Sequence, residues 1–99
     1  MNIIKRSGQE VTFDAVKIED AVSKANCTVQ DIDRLTSGQI RDVVESVTQL
    51  CVNMKRSPSV EEIQDMVEEE IMKQRAYKVA TNYITYRYKR ELIRKSNST

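Results

Sequence analysis

Three stretches of this chain carry residue types that can hold an anion or a ring. Lys5-Arg6-Ser7-Gly8, followed by Glu10, sets two adjacent cations beside a glycine that lets the backbone turn tightly, so phosphates can be met there. The same residues also read as a surface hairpin in which Lys5 pairs with Glu10, an exposed contact contributing only ~0–1 kcal/mol. Asp14-Ala15-Val16-Lys17-Ile18 places a lysine one turn into a helix, where the macrodipole favours acids, and an anion held by Lys17 is one explanation. In the last third, Tyr83 and Arg87, and Tyr86 and Arg90, stand four apart and share neighbouring helix surface. Tyrosine offers a ring face to a nucleobase, and arginine offers a fork to a phosphate. The other reading makes the tyrosines core residues with the arginines covering their edges. The acidic run Glu61, Glu62, Asp65, Glu68, Glu69 and Glu70 reads as a solvated helix face that suits the dipole, with a metal site as its alternative.

Other chemistries find little material. Histidine, the commonest general acid–base group, is absent. Gly8 and Gly38 are the only glycines, and neither a Walker-type loop nor a nucleophile elbow can be written around them. Cys27 and Cys51 fall short of the four ligands of a structural zinc site, and a disulfide between them would be unusual in the cytoplasm. Catalysis by this segment is not expected. Sixteen Lys and Arg against fifteen Asp and Glu leave a net charge of +1, which gives generic attraction to nucleic acid or membrane little support. Arg87, Lys89, Arg90, Arg94 and Lys95 can be read as an RNA or DNA contact, but a helix dipole favours cations in the last turns anyway. No apolar run is long enough to span a bilayer, and Met1 to Arg6 lacks the apolar stretch of a signal peptide, so the expected location is cytoplasmic.

These residues need elements to position them. With 39% apolar and 31% charged residues over 99 positions, the chain has material for one modest core. Ile3–Arg6 and Gln9–Phe13 flank Ser7-Gly8 as a hairpin with a two-residue turn. That register sets Arg6 against Gln9, Lys5 against Glu10 and Ile4 against Val11. It puts Ile4, Val11 and Phe13 on the inward face and Ile3 on the other. Asp14 can cap a helix over 15–26 whose stripe is Val16, Ala21, Val22 and Ala25, with Ile18 at its edge. Asp31 and Asp33 are candidate caps for a short turn around Ile32. A second helix is expected over 38–53 from Ile40, Val43, Val44, Val47, Leu50 and Cys51. Ser59 three residues before Glu62 is a capping box opening a third helix with Ile63, Met66, Val67 and Ile71 on its apolar side. A fourth is expected over 76–94, carrying Val79, Ala80, Tyr83, Ile84 and Tyr86. The expected fold is α+β, a small N-terminal hairpin packed on about four helices, with residues 1–95 as the domain and 96–99 as a linker or frayed end.

Taken in order, Ile4-Lys5-Arg6-Ser7-Gly8-Gln9-Glu10, then Phe13-Asp14 and Lys17-Ile18, then Ser59 to Val67, then Tyr83 to Arg90, resemble the ATP-cone family across nearly the whole chain. The resemblance implies an allosteric module that binds ATP or dATP, with Mg2+ only alongside the nucleotide phosphates, and regulates ribonucleotide reductase through a change of oligomeric state. The alternative is a nucleotide-sensing transcriptional regulator or nucleic-acid-binding module of deoxyribonucleotide metabolism genes. The stretch Arg90 to Thr99 is similar to the join with the catalytic part of anaerobic reductases, which implies the regulatory region of that large subunit or a free-standing cone. Its partners would be adenine nucleotides and either further copies of itself or the reductase catalytic domain. Carried over residue by residue, the resemblance implies that Ile4, Lys5, Arg6 and Glu10 line the hairpin side of the nucleotide, with Lys17 joining them on the phosphates. Ile18, Ile63 and Tyr86 would hold the adenine, Arg90 or its rival Arg87 would meet phosphate, and Ser59 and Gln64 would add further contacts. Ser7 stands where the family usually has an acid.

Overall fold

The computed structural model describes the backbone of residues 1–97 and the side chains of residues 1–93. Two strands come first, β1 (Asn2–Ile4) and β2 (Glu10–Thr12), followed by α1 (Ala15–Cys27), a 3₁₀ turn (Asp31–Asp33), α2 (Ser37–Asn53), α3 (Val60–Lys73) and α4 (Tyr77–Asn97). The α+β class and the hairpin on four helices are as expected.

The hairpin corrects the expected register by one residue. Asn2 faces Thr12, Ile3 faces Val11 and Ile4 faces Glu10. The cause is the turn. Gly8 N donates to Lys5 O at 2.8 Å, Lys5 N donates to Gln9 O at 2.8 Å, and Gly8 adopts φ +88°. Arg6-Ser7-Gly8 is therefore a three-residue loop with glycine in the left-handed position, which favours that residue. Ser7 Oγ accepts from Gln9 N at 3.4 Å, supporting the turn. One added loop residue swaps the faces of β1. Ile3 and Phe13 pack on the core, while Ile4 shares the outer face with Glu10. On its other edge Ile4 meets Ser59 in a parallel bridge, and Ile4 N donates to Pro58 O at 2.9 Å.

The helices form a ring in which α1 packs against α2 and α4, and α3 packs against the same two. Their shared core contains Val22, Val43, Val47, Val67, Ile71 and Val79, all at 1% exposure or less. α1 begins as expected, with Asp14 Oδ1 accepting from Val16 N at 3.0 Å. Val16 itself is 59% exposed, so the apolar stripe of α1 starts at Ile18 and not in the first turn. Asp31 and Asp33 cap nothing: Asp31 pairs with Arg34 and Asp33 with Lys78. α2 starts at Ser37 behind a Thr36–Gln39 capping box, and α3 opens on the expected Ser59–Glu62 box. Buried Asn26 ties the end of α1 to the following loop, with Nδ2 donating to Leu35 O at 3.0 Å and Oδ1 accepting from Leu35 N at 2.7 Å. α4 continues to Asn97, past the expected end at Arg94, and residues 98 and 99 lie outside the described residues. No described helix is long and apolar enough to cross a membrane.

Candidate functional site

The first and last parts of the chain meet in a cleft of about 270 Å³. The hairpin turn supplies Arg6, α1 supplies Lys17 and Ala21, α3 supplies Gln64, and α4 supplies Tyr83, Tyr86, Arg87, Arg90 and Glu91. Each arrives for a local reason. Arg6 follows the last residue before the tight loop, so it is carried on the turn rather than the strand face. Lys17 and Ala21 are one turn apart on α1, and Tyr83, Arg87 and Glu91 stand at successive four-residue steps on α4.

The cations of the cleft fall into two groups. Arg6 is held on both sides, Nε to Glu61 Oε1 at 2.7 Å and Nη1 to Glu91 Oε1 at 3.3 Å. Arg87 Nη1 bridges Asp65 Oδ1 at 2.7 Å and Glu68 Oε1 at 2.8 Å. Burial works against the Arg87 charge, but the hydrogen bonds to Asp65 and Glu68 outweigh it and hold its pKa above the ordinary value. Lys17 and Arg90 form no ion pair among the described residues. The cleft thus holds two cations compensated by carboxylates and two that remain available to an incoming anion. Tyr83 and Tyr86 line the same cleft. Burial pushes the Tyr83 hydroxyl up to about 12, so it stays protonated, and Tyr86 is 37% exposed and open to a stacking partner.

Of the residues singled out in the sequence, the cleft brings together Arg6, Lys17, Gln64, Tyr83, Tyr86, Arg87 and Arg90. Arg87 and Arg90, rivals for the phosphate contact that the resemblance implies, both line it. Three others, Ile4, Glu10 and Ser59, gather along the seam between the hairpin and the start of α3, with Lys5 at the hairpin turn. Ile4 bridges Ser59, Ser59 caps α3, Glu10 Oε1 accepts from Ser57 Oγ at 3.3 Å, and Lys5 is exposed beside the turn. Ile63 is a core residue at 6% exposure and Ile18 packs against that core, so neither lines the cleft. Lys5 and Glu10 do not form an ion pair. Sequence reasoning missed Ala21 and Glu91 as lining residues. The four-residue steps Lys17–Ala21 and Tyr83–Arg87–Glu91 were the signal that could have found them.

A second depression of about 380 Å³ lies at the other end of α4, between the 3₁₀ turn and the α3–α4 connection. Of its three cations, Arg34 and Lys78 are each taken by an aspartate and Arg75 forms no ion pair among the described residues, and none of the candidate nucleotide-binding residues lines it. The acidic run on α3 is spent largely on ion pairs. Glu61, Glu62, Asp65, Glu68 and Glu70 each hold an arginine or lysine, and the described residues contain no cluster of three or more potential ligands suited to a metal.

A hairpin closed over a ring of four helices, with a cation- and tyrosine-lined cleft between the first and last elements, defines a class of small α+β module. The ATP cone domain matches residues 1–92, and the chain belongs to that family. It is 31% identical over 102 residues to the ribonucleoside-diphosphate reductase subunit alpha of Chlamydia trachomatis, covering 95% of this chain and 10% of that protein. It is 35% identical over 99 residues to the vitamin B12-dependent ribonucleoside-diphosphate reductase of Thermoplasma acidophilum, covering 93% and 12%. It is 31% identical over 96 residues to the anaerobic ribonucleoside-triphosphate reductase of Haemophilus influenzae, covering 97% and 13%. The chain spans about a tenth of the length of these relatives.

Proposed function

We propose that this chain binds ATP or dATP in the cleft between the hairpin and α4, and thereby regulates a ribonucleotide reductase allosterically in the cytoplasm. The observation that carries the reading is the convergence, in a member of the ATP-cone family, of Arg6, Lys17, Tyr86, Arg87 and Arg90 from distant parts of the sequence. Lys17 and Arg90 meet the phosphates directly, and Arg6 joins them by exchanging a carboxylate for a phosphate oxygen. Arg87 is the more firmly committed cation and shapes the wall. Tyr86 stacks on the base. Ile4, Lys5, Glu10 and Ser59 form the hairpin side of the site, next to the ribose, while Ile18 and Ile63 support it from the core. Mg2+ arrives with the phosphates. Residues 1–95 act as the regulatory unit and 96–99 as its connection.

Regulation requires that ATP and dATP favour different states of a larger assembly, either copies of this chain or the catalytic region of a reductase. A ligand that draws its contacts from both ends of the chain also stabilises the fold, by ~2.7 kcal/mol at a hundredfold its dissociation constant. Thermal melts with ATP, dATP and GTP in the presence of Mg2+ test the reading, paired with light scattering for oligomeric state. Both adenine nucleotides should raise the melting temperature. No shift with either would overturn the proposal.

A further inference from the structure

A cleft that takes an anion should be lined by cations, and this one is, with a single exception. Among the described residues that line it, Arg6, Lys17, Arg87 and Arg90 are positively charged and Glu91 is negatively charged. A carboxylate there repels any phosphate that enters, so its position calls for a reason.

The reason lies in the two contacts of Arg6, which differ in kind. Nε meets Glu61 Oε1 at 2.7 Å, the length of a charge-assisted hydrogen bond, whereas Nη1 meets Glu91 Oε1 at a longer 3.3 Å. Glu61, in the first turn of α3, is not among the lining residues, and Glu91, on α4, is. A guanidinium carries five N–H donors in a fixed fork, so Arg6 can keep Glu61 through Nε while its terminal nitrogens change partner. The contact to give up is the longer one, on the cleft side. The Glu91 side chain is 38% exposed, so water can solvate its carboxylate once Arg6 turns away.

We propose that Glu91 is the cleft's own counter-anion. It occupies Arg6 when no nucleotide is bound and competes with the phosphate that replaces it, while Glu61 keeps Arg6 aimed at the cleft. The inference rests on the reading that the cleft takes an adenine nucleotide, and it adds the competition that sets the affinity. The exchange also redirects a tie. The hairpin stays joined to the start of α3 through Ile4 and Ser59 and through Glu10 and Ser57. Its direct ion pair with α4 gives way to one that runs through the phosphates to Arg90, the residue next to Glu91.

The test is calorimetric titration of the wild type, Glu91→Gln and Glu61→Gln with ATP and dATP at fixed Mg2+ and ionic strength. Glu91→Gln removes the competitor and should tighten binding by about fivefold. Glu61→Gln loosens the aim of Arg6 and should weaken binding by about threefold. Carboxylates on one guanidinium thus act with opposite sign, which neither general charge removal nor a purely structural role produces. Without nucleotide, both variants should melt close to the wild type, because solvent screens both contacts. Equal tightening in the two variants would reduce Glu91 to one more negative charge near an anion. Unchanged or weaker binding in Glu91→Gln, or a large drop in its melting temperature without nucleotide, would make its contact a structural tie. Each of these results overturns the inference. If neither the wild type nor Glu91→Gln binds ATP or dATP, the nucleotide reading itself fails, which separates the two failures.

Discussion

Arg6, on the hairpin turn, reaches across to Glu61 in the first turn of α3, with Nε and Oε1 2.7 Å apart. The same guanidinium extends to Glu91 on α4, so one side chain ties three elements around the mouth of the cleft. The Arg6 side chain is 30% exposed, and its two partners are 40% and 38% exposed, so solvent screens both contacts. Arg6→Met should therefore cost no more than about 1 kcal/mol of stability in urea denaturation. Loss of a charge-assisted phosphate contact should instead weaken ATP binding by about tenfold or more in calorimetry. A large stability loss with unchanged nucleotide affinity would make Arg6 a structural tie alone.

Glu62 predicts how the capping of α3 responds to acid. The Arg56 side chain, then the Ser59 backbone N–H, hold its carboxyl at about 2, against an ordinary 4.5. A carboxylate depressed in the folded state stabilises above its unfolded pKa, and that contribution is lost as pH falls through the folded value. Glutamine serves equally well at this capping position. Glu62→Gln thus isolates the charge. The wild type should melt higher than the variant by a constant margin above about pH 5, and the margin should vanish between about 4.5 and about 2. A margin that does not change with pH would show that the charge contributes nothing.

Asn26 is predicted to be one of the most sensitive polar positions. Its amide satisfies both the N–H and the carbonyl of Leu35 in a buried setting. Asn26→Ala leaves two backbone groups unpaired and should cost about 2–4 kcal/mol in urea denaturation. A loss under about 0.5 kcal/mol would mean the loop re-pairs elsewhere.

Arg75 joins α3 to α4 with φ 61°, the left-handed conformation that strains any residue with a Cβ. Its N–H donates to Met72 O at 2.9 Å, a bond that glycine keeps. Arg75→Gly should stabilise the protein by about 1 kcal/mol, seen as a raised denaturation midpoint. A lowered midpoint would place the Arg75 side chain in a stabilising contact that outweighs the strain.

The sequence showed the helices well because their signals are local. Asp14, Ser59-Glu62 and the three- and four-residue apolar steps each act within one or two turns of backbone. The Thr36–Gln39 box belongs to the same category and was legible but passed over. The hairpin register was not legible in the same way. Ser7-Gly8 suits a two-residue turn as well as the end of a three-residue one, and the choice decides which of Ile3 and Ile4 points inward. Val16 carries the periodicity of α1 but lies beyond the reach of its packing partners. The candidate site divides along the same line. Tyr83, Tyr86, Arg87 and Arg90 are visible as a patterned helix face, yet the pairing of Arg6 with Glu61 and Glu91 joins residues far apart in sequence. Only the closed ring of helices brings them together.

The bond from Ile4 N to Pro58 O has one more consequence. Exposed strand edges are templates on which other chains can assemble, and short or charged edges are the usual protection against it. Here the outward edge of β1 is occupied by the chain's only proline and the serine after it, a segment that cannot extend into a further strand because it starts a helix at Val60. The edge left open belongs to β2, three residues long and led by the charge of Glu10. The hairpin that carries Arg6 is thereby shielded against edge-to-edge self-association, so contact between copies of this protein should run through side-chain faces and not through sheet extension.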